Sequence, residues 1–440
     1  MNTAAGPLLE SLRDFPALEV GTAAARARRV AAVEHAVADG LPTQRSERWK
    51  YTSLRALSAR RFLAHADTPI VHPAMLADIP APRMVFVNGR FDASLSRLDA
   101  LPPGVDWTRL AKSSASSAGD GTQADAPEAT ADGVPGPVDS FDRLNAGLAG
   151  DGACLQVDPG RDVTLPVHLV FVGAPADGDI AWHLRHRIIV GAGARLALVE
   201  HHLAGGAHRH FANQRIDVRL DAGAHLLHVR LQDEDVGATL IARTRVHVAD
   251  TASLRRVDLE LGAGLSRHDL AVGLAGRGAS FDSGGAMLAS ARRHLDTRLE
   301  IQHVARDTRC DLLWRGLAAD RGRLAFHGGI HILPGADGAE AALSNKNLLL
   351  SDQAEVDTQP VLQIDADEVK AAHGATVGRL DDAALFYLRS RGLPEAEARA
   401  LLTLAFCREA LSLLGDAQAV LALASPRLEA RLAQVGMLPA

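Results

Sequence analysis

Apolar residues recur along this 440-residue chain at two different spacings. Near the start they follow the three-to-four-residue period of an amphipathic helix, so the region from Pro7 to about Leu57 is predicted to be helical. The periodic positions are Leu8, Leu9, Leu12, Val30, Val33 and Val37, and Gly40 to Pro42 interrupt them. A short strand is predicted from Met84 to Asn88.

Beyond Asp151 the pattern changes to short alternating runs with a recurring four-residue motif. The copies are Gly193-Ala194-Arg195-Leu196, Gly223-Ala224-His225-Leu226, Thr251-Ala252-Ser253-Leu254 and Gly278-Ala279-Ser280-Phe281, spaced 30, 28 and 27 residues apart. Strand, tight turn and strand at a near-constant period predict a β-solenoid, whose coils bury a core only by stacking. The period by itself leaves a β-sandwich with Gly-rich hairpins open.

Two further regions complete the predicted organisation. Residues Lys112 to Ser140 are rich in Ser, Ala, Gly, Asp and Pro, which predicts a mobile loop. After Gly378 the helical period returns, and Pro394 and Pro426 are predicted to begin helices. We therefore divide the chain into a helical N-terminal region (1–150, with the loop at about 112–140), a β-helix core (151–370) and a C-terminal helical domain (371–440).

Composition and charge argue against some classes of binding partner. The net charge is −6, and near the start adjacent basic residues form only two runs, so neither a nucleic acid nor an anionic membrane is an expected partner. Three distant cysteines, Cys154, Cys310 and Cys407, suggest no disulfide framework, and the first residues contain no long apolar run, so we expect a cytoplasmic protein. Phosphate-loop, nucleophile-elbow and zinc-protease motifs are missing, which predicts that the chain is not an enzyme.

Histidines are the main candidates for metal chemistry. His373 follows the strand-rich region at a predicted domain edge, where a neutral imidazole could ligate iron, although a single histidine is more often structural. His201, His202, His208 and His210, and likewise His225, His228 and His247, are interpreted as solvated polar residues, because no set with metal-ligand spacing surrounds them.

The run from Asn345 to Gly392 and the segment Pro42 to Thr52 closely resemble the SufB/SufD family, the scaffold proteins of the SUF system for iron-sulfur cluster assembly. The resemblance implies a mostly β fold, a right-handed parallel β-helix between helical ends. Gly374 stands where SufB-type members carry an acidic residue, which favours the SufD branch. Family members commonly carry Cys-Ser before the histidine, whereas this chain has Ala371 and Ala372.

The resemblance also implies partners. His373 would contribute to a transient iron-sulfur cluster shared with a SufB-like subunit that supplies the cysteine, and no cofactor would be bound by this chain alone. A homodimer in isolation stays open. The C-terminal helices would dock a SufC-like ATP-binding-cassette ATPase, an interface assigned to Phe386, Tyr387 and Arg391. The alternatives are a β-helix enzyme acting on polysaccharides and a purely structural solenoid. Cys310 and Cys407 are expected to be packing residues.

Overall fold

The structure is a computed structural model that describes residues 6–19, 21–64, 69, 71–110, 134 and 138–434. Its described helices are α1 (Pro7–Leu12), α2 (Ala23–Asp39), α3 (Arg55–Ser58), α4 (Ser140–Leu148), α5 (Asp382–Ser390), α6 (Glu395–Arg408) and α7 (Gln418–Gln434), with 3-10 segments at Pro16–Glu19, Glu47–Trp49, Pro73–Leu76 and Glu409–Leu414. The first strands are β1 (Leu63–Ala64), β2 (Arg83–Val87), β3 (Arg90–Phe91), β4 (Val105–Arg109), β5 (Ala153–Val157), β6 (Val167–Gly173) and β7 (Ile180–Val190).

The remaining strands follow one another at regular intervals. They are β8 (Arg195–Ala204), β9 (Phe211–Leu220), β10 (His225–Asp233), β11 (Thr239–Val248), β12 (Ser253–Glu260), β13 (Leu265–Leu274), β14 (Ser280–Ala289), β15 (His294–His303), β16 (Arg309–Ala318), β17 (Arg323–Ile332), β18 (Glu340–Leu349), β19 (Glu355–Ile364) and β20 (Lys370–Gly378). No described helix is long and apolar enough to cross a membrane.

From β5 onward, successive strands alternate between the two ten-stranded sheets of the described chain. The odd sheet runs β19-β17-β15-β13-β11-β9-β7-β5-β4, with β1 paired to β7, and the even sheet runs β20-β18-β16-β14-β12-β10-β8-β6-β2-β3. Neighbouring strands pair in parallel, except for β2 with β3 and β4 with β5 at the N-terminal end. The chain therefore forms a parallel β-solenoid of about eight turns, as predicted, and the β-sandwich is excluded.

The four-residue motif marks one corner of every coil in the repeat region. Arg195, His225, Ser253 and Ser280 of the four copies align in one register column. The first residue of each copy has a positive φ, between 55° and 70°, which glycine adopts without a Cβ clash and which Thr251 adopts at some cost. The same positive-φ corner recurs at Asp307, Gly338 and Glu368. These residues mark three further repeats that the four-residue motif does not reveal.

Four apolar clusters organise the packing. The main core lies between the two sheets and contains inward side chains such as Leu198, Leu299 and Leu343. The N-terminal helices α1, α2 and α4 pack on the outer face of the odd sheet, against Phe211 and Ile241. The C-terminal segments 406–432 pack on the outer face of the even sheet, and residues 71–95 cover its first strands. Strands in the middle of the solenoid are therefore buried on both faces.

The strands extend beyond both predicted limits of the core. Four strands precede residue 151, including β2 near the predicted Met84–Asn88 strand, and β20 continues after residue 370. The sequence missed β20 because its residues are mostly small and do not alternate. Pro426 lies inside α7 and does not begin it, whereas Pro394 caps α6 as expected. The predicted loop at 112–140 falls almost entirely outside the described residues, as do 435–440 of the C-terminal region. The division into domains stays a prediction.

Candidate functional site

The C-terminal end of the solenoid carries His373 on its last coil. His373 lies on β20 and is paired in register with Leu343, which in turn pairs with Leu312. Leu312 and Leu343 point into the main core, so the same register directs the His373 side chain toward the lumen. Because no further coil is stacked on β20 in the described chain, this imidazole is exposed at the mouth of the solenoid. No hydrogen bond or ion pair engages it within the described residues.

The backbone beside His373 is free to pair with another strand. β20 and β19 are the terminal strands of the two sheets, and each has one described neighbour in its own sheet. The N–H of Lys370 points toward β18, where it donates to the carbonyl of Ala339 over 2.9 Å. Since N–H directions alternate along a strand, the N–H groups of Ala371, His373, Ala375 and Val377 point to the open side. The last coil therefore presents unpaired donors around the histidine.

Apolar side chains surround this open end. Ile364 on β19 and Val377 on β20 are 45% and 42% exposed, and Val361 is also exposed. Prediction from sequence did not single them out, because an apolar residue in a solenoid strand is expected to be covered by the next coil. Unpaired strand edges combined with exposed apolar side chains are typical of a surface that another protein covers.

None of the three cysteines can supply a thiolate at this end. Cys310 is buried on β16, and burial raises the pKa of its thiol to about 12. Cys407 lies on α6 and is buried in the cluster on the outer face of the even sheet, and burial likewise raises its pKa to about 12. Cys154 lies near the other end, on β5. The prediction that Cys310 and Cys407 are packing residues agrees with their burial, and Ala371 stands in the register column of Cys310.

Helix α5 places the predicted partner-binding residues on the surface. Asp381 caps the helix by accepting hydrogen bonds from the N–H groups of Ala383 and Ala384. Phe386 and Tyr387 are 73% and 56% exposed, and the guanidinium of Arg391 lies 5.1 Å from the centre of the Tyr387 ring. The aromatic pair therefore does not pack onto the solenoid end, and Leu385 is the buried residue of this helix. Such exposed aromatic side chains beside arginine resemble interface anchors.

The prediction of solvated histidines in the strand region is wrong for most of them. His201, His202, His208, His210 and His228 are all buried. His202 and His228 lie on β8 and β10 in the inward register of Leu198, whereas His201 shares the outward register of Val199. His208 and His210 precede β9 and stack on each other. The sequence could not show this burial, because the covering residues come from distant segments.

A buried ionic network occupies the lumen around these histidines. Its members are Glu200, His202, His228, Arg230, Arg256, Asp258, Glu260 and His268. Glu200 contacts His228, the Nε of Arg256 donates to Asp258 over 2.9 Å, and Arg230 pairs with Glu260. Desolvation lowers the pKa of His228 and His268, so both imidazoles are neutral at pH 7. Among the described residues no group of three or more His, Cys, Asp or Glu side chains is arranged to hold a metal.

The fold and its open end define a class of protein: a two-sheet parallel β-solenoid with helical flanks and an exposed histidine at an unpaired strand edge. Matches to family models identify the family within this class. Residues 172–406 match the SufBD core domain of the SUF system for FeS cluster assembly, and residues 19–169 match the SufBD N-terminal region. The chain belongs to the SufBD family of iron-sulfur cluster assembly proteins.

Curated relatives agree with this assignment. The chain is 30% identical to the iron-sulfur cluster assembly protein SufD of Escherichia coli K12, over 86% of both chains. It is 28% identical to a SufBD family protein of Synechocystis over 84% of this chain and 83% of the relative. A SufBD family protein of Mycobacterium tuberculosis is 31% identical over 59% of this chain and 66% of its own length. The chain is thus a SufD homologue, as the resemblance implied.

Proposed function

We propose that this chain is a non-enzymatic scaffold subunit that pairs with a SufB-like subunit through the open end of its solenoid. The observation that carries the proposal is the last coil, where unpaired backbone donors, exposed apolar side chains and His373 lie on one surface. A parallel coil end can continue its sheets into a partner strand, which satisfies the edge donors and covers Ile364 and Val377.

In this proposal the cluster is cargo shared across the interface. His373 contributes a neutral nitrogen ligand, and the partner contributes thiolates, because the chain has none at this end and clusters are held mainly by cysteine. Burial of the cluster between the two coil ends would limit its contact with water. The polysaccharide-enzyme alternative has no support from an observation in the structure, and the family assignment opposes it.

The C-terminal helices are proposed as the docking site of a SufC-like ATPase, with Phe386, Tyr387 and Arg391 as contacts. The C-terminal helices are connected to the open end of the solenoid through the even sheet. Arg315 on β16 donates to Glu409 over 2.8 Å, and β16 is joined through β18 to β20. A displacement of the helices by ATPase subunits would therefore bias the even sheet between two arrangements of the scaffold interface.

Co-expression of this chain with the host's SufB-like and SufC-like proteins tests the pairing. We expect affinity capture and native mass spectrometry to show a complex that contains all three chains. Recovery of this chain without either protein would overturn the proposed partners.

Replacement of His373 tests its role separately. We expect the His373→Ala complex to assemble but to lose most cluster formation in anaerobic reconstitution, measured by visible absorption and iron content. His35→Ala is the matched control, since His35 is an exposed histidine on α2, far along the chain from the open end. Unchanged cluster formation in His373→Ala would remove the histidine from the site while leaving the pairing intact.

A further inference from the structure

A cavity of about 470 Å³ lies between the N-terminal segment and the turns of the solenoid. The segment Pro42 to Thr52 supplies part of its wall through Tyr51, so this motif has a structural location away from His373. Three guanidinium groups, those of Arg60, Arg209 and Arg323, line the cavity, and none of the described lining residues is a carboxylate. Its remaining wall includes apolar side chains such as Leu57 and Leu265.

Contacts fix the orientation of the Arg60 guanidinium and leave one of its N–H groups without a hydrogen-bond partner in the described structure. Its Nη2 donates to Asp179 over 2.8 Å and contacts the carbonyl of Arg209, and its guanidinium lies 4.6 Å from the centre of the Phe62 ring. The Nε of Arg60 is buried and has no hydrogen-bond partner in the described structure. A buried N–H without a partner costs free energy, so a small shift of the Arg60 side chain that brought this N–H to a bound oxygen acceptor would be favourable.

The other two arginines reach the cavity from the solenoid side. Arg209 lies 3.9 Å from Asp179, and Arg323 forms an ion pair with Glu355 over 3.0 Å. Both side chains are more than half exposed, and each guanidinium carries five N–H groups, so one carboxylate partner leaves donors available. The neighbouring carboxylates Asp179 and Glu355 orient the arginines but are not part of the lining.

We propose that this cavity binds an organic phosphate. Guanidinium groups recognise phosphate oxygens by paired hydrogen bonds, which favours an anion on the arginine side. The volume falls within the range of small-molecule sites and far exceeds that of a bare phosphate ion. The ring of Tyr51 and the side chains of Leu57 and Leu265 can contact a planar or apolar body. The site shares no lining residue with the partner interface proposed above.

Isothermal titration of the purified full-length chain with ADP, pyrophosphate and citrate at constant ionic strength tests this inference. We expect saturable binding of one ADP per chain, tighter than that of pyrophosphate because ADP also contacts the apolar wall. Arg209→Gln or Arg323→Gln should weaken ADP binding at least about tenfold, since each removes charge-assisted hydrogen bonds. Arg306→Gln is the matched control, because Arg306 is an exposed arginine paired with Asp337 outside the cavity.

Three results would overturn the inference. The first is the absence of saturable binding of ADP and of pyrophosphate up to about 1 mM, the range of weak but specific binding. The second is an equal loss of ADP binding in Arg306→Gln, which would indicate general charge attraction. The third is binding of citrate as tight as that of ADP with the same dependence on Arg323, which would assign the site to carboxylates.

Discussion

Burial keeps several histidines of this chain neutral where a free histidine would begin to protonate. Desolvation lowers the pKa of His183 to about 3, and it lowers the pKa of His168, His186 and His210 to about 4. His183 is buried under the N-terminal region, and the amide of Asn213 donates to its Nδ1 over 3.0 Å. In the unfolded chain these histidines become protonated as the pH falls through about 6.5, whereas in the folded chain they stay neutral at that pH.

This difference in histidine pKa between the folded and unfolded chain predicts that the protein loses stability in mild acid. Because the folded pKa lies below the unfolded pKa, the stability is fully present above about pH 6.5 and is lost as the pH falls toward 3. Between pH 7.5 and 5.5 we expect the free energy of unfolding to fall by about 1.3 kcal/mol less in His183→Gln than in the unsubstituted protein. The value follows by linkage from the pKa of about 3 for His183 in the folded chain. Urea unfolding of both proteins at the two pH values measures it, and an identical pH dependence would contradict the burial of a neutral His183.

The cysteines give a second prediction. Since burial raises the pKa of Cys310 and Cys407 to about 12, neither thiol is ionised at pH 7.5 and neither is accessible. We expect iodoacetamide to modify at most Cys154 in the native protein and all three cysteines in urea. Peptide mass spectrometry identifies the sites. Rapid native labelling of Cys310 would show that the lumen near β16 opens to solvent.

The C-terminal helices depend on a close approach to the even sheet. A Cβ placed on Gly284 of β14 would lie 2.6 Å from the carbonyl oxygen of Ala410, so glycine lets the 3-10 segment Glu409–Leu414 pack directly on the strand. This segment begins at Glu409, which accepts a hydrogen bond from Arg315. The contact therefore joins the helices proposed as an ATPase docking site to the solenoid.

Gly284→Ala should push this segment from the sheet and destabilise the protein by about 1–3 kcal/mol, the usual cost of overpacking. Gly374→Ala serves as the control, because a Cβ on Gly374 meets nothing within 4 Å. We expect its effect to stay within about 0.5 kcal/mol. Thermal unfolding of both variants is the measurement, and equal stabilities would show that the helix packing tolerates the methyl group.

The two ends of the solenoid are built differently within the described residues. At the N-terminal end β3 and β4 pair antiparallel with the first strands, and residues 71–95 pack beside them. At the C-terminal end β19 and β20 have no described strand beyond them. Because an uncovered sheet edge invites pairing with another chain, this asymmetry makes the C-terminal end the expected assembly surface.

Proline at position 375 should block that surface without unfolding the coil. The N–H of Ala375 points to the open side, so Ala375→Pro removes an edge donor while the bonds to β18 remain. We expect Ala375→Pro to weaken capture of the SufB-like partner at least about tenfold, whereas Ala375→Ser, which keeps the N–H, retains it. Circular dichroism controls for folding. Undiminished capture by a folded Ala375→Pro chain would place the interface elsewhere.

Much of this architecture could be predicted from the sequence, because its causes are local. The period of the motif marks the corners where the backbone takes a positive φ, and Leu8, Leu9 and Leu12 mark a helix face. Short motifs also single out His373 and Phe386 as candidate site residues, and their roles stay predictions. The later corners at Asp307 and Glu368 were missed, since polar residues occupy a conformation that glycine usually marks, and the corner at Gly338 was missed because Ala341 stands where the other copies carry Leu or Phe.

Burial and exposure could not be predicted in the same way, because they depend on segments far apart in the chain. His201 and Val377 both lie in strands, yet the first is sealed by surrounding elements and the second is exposed at the last coil. Alternation determines which side of a strand a residue faces, but whether a second layer covers that face is decided by tertiary packing. The sequence by itself therefore determined the coil, its corners and the family, whereas the tertiary structure decided that the lumen holds buried charges and that one end stays open.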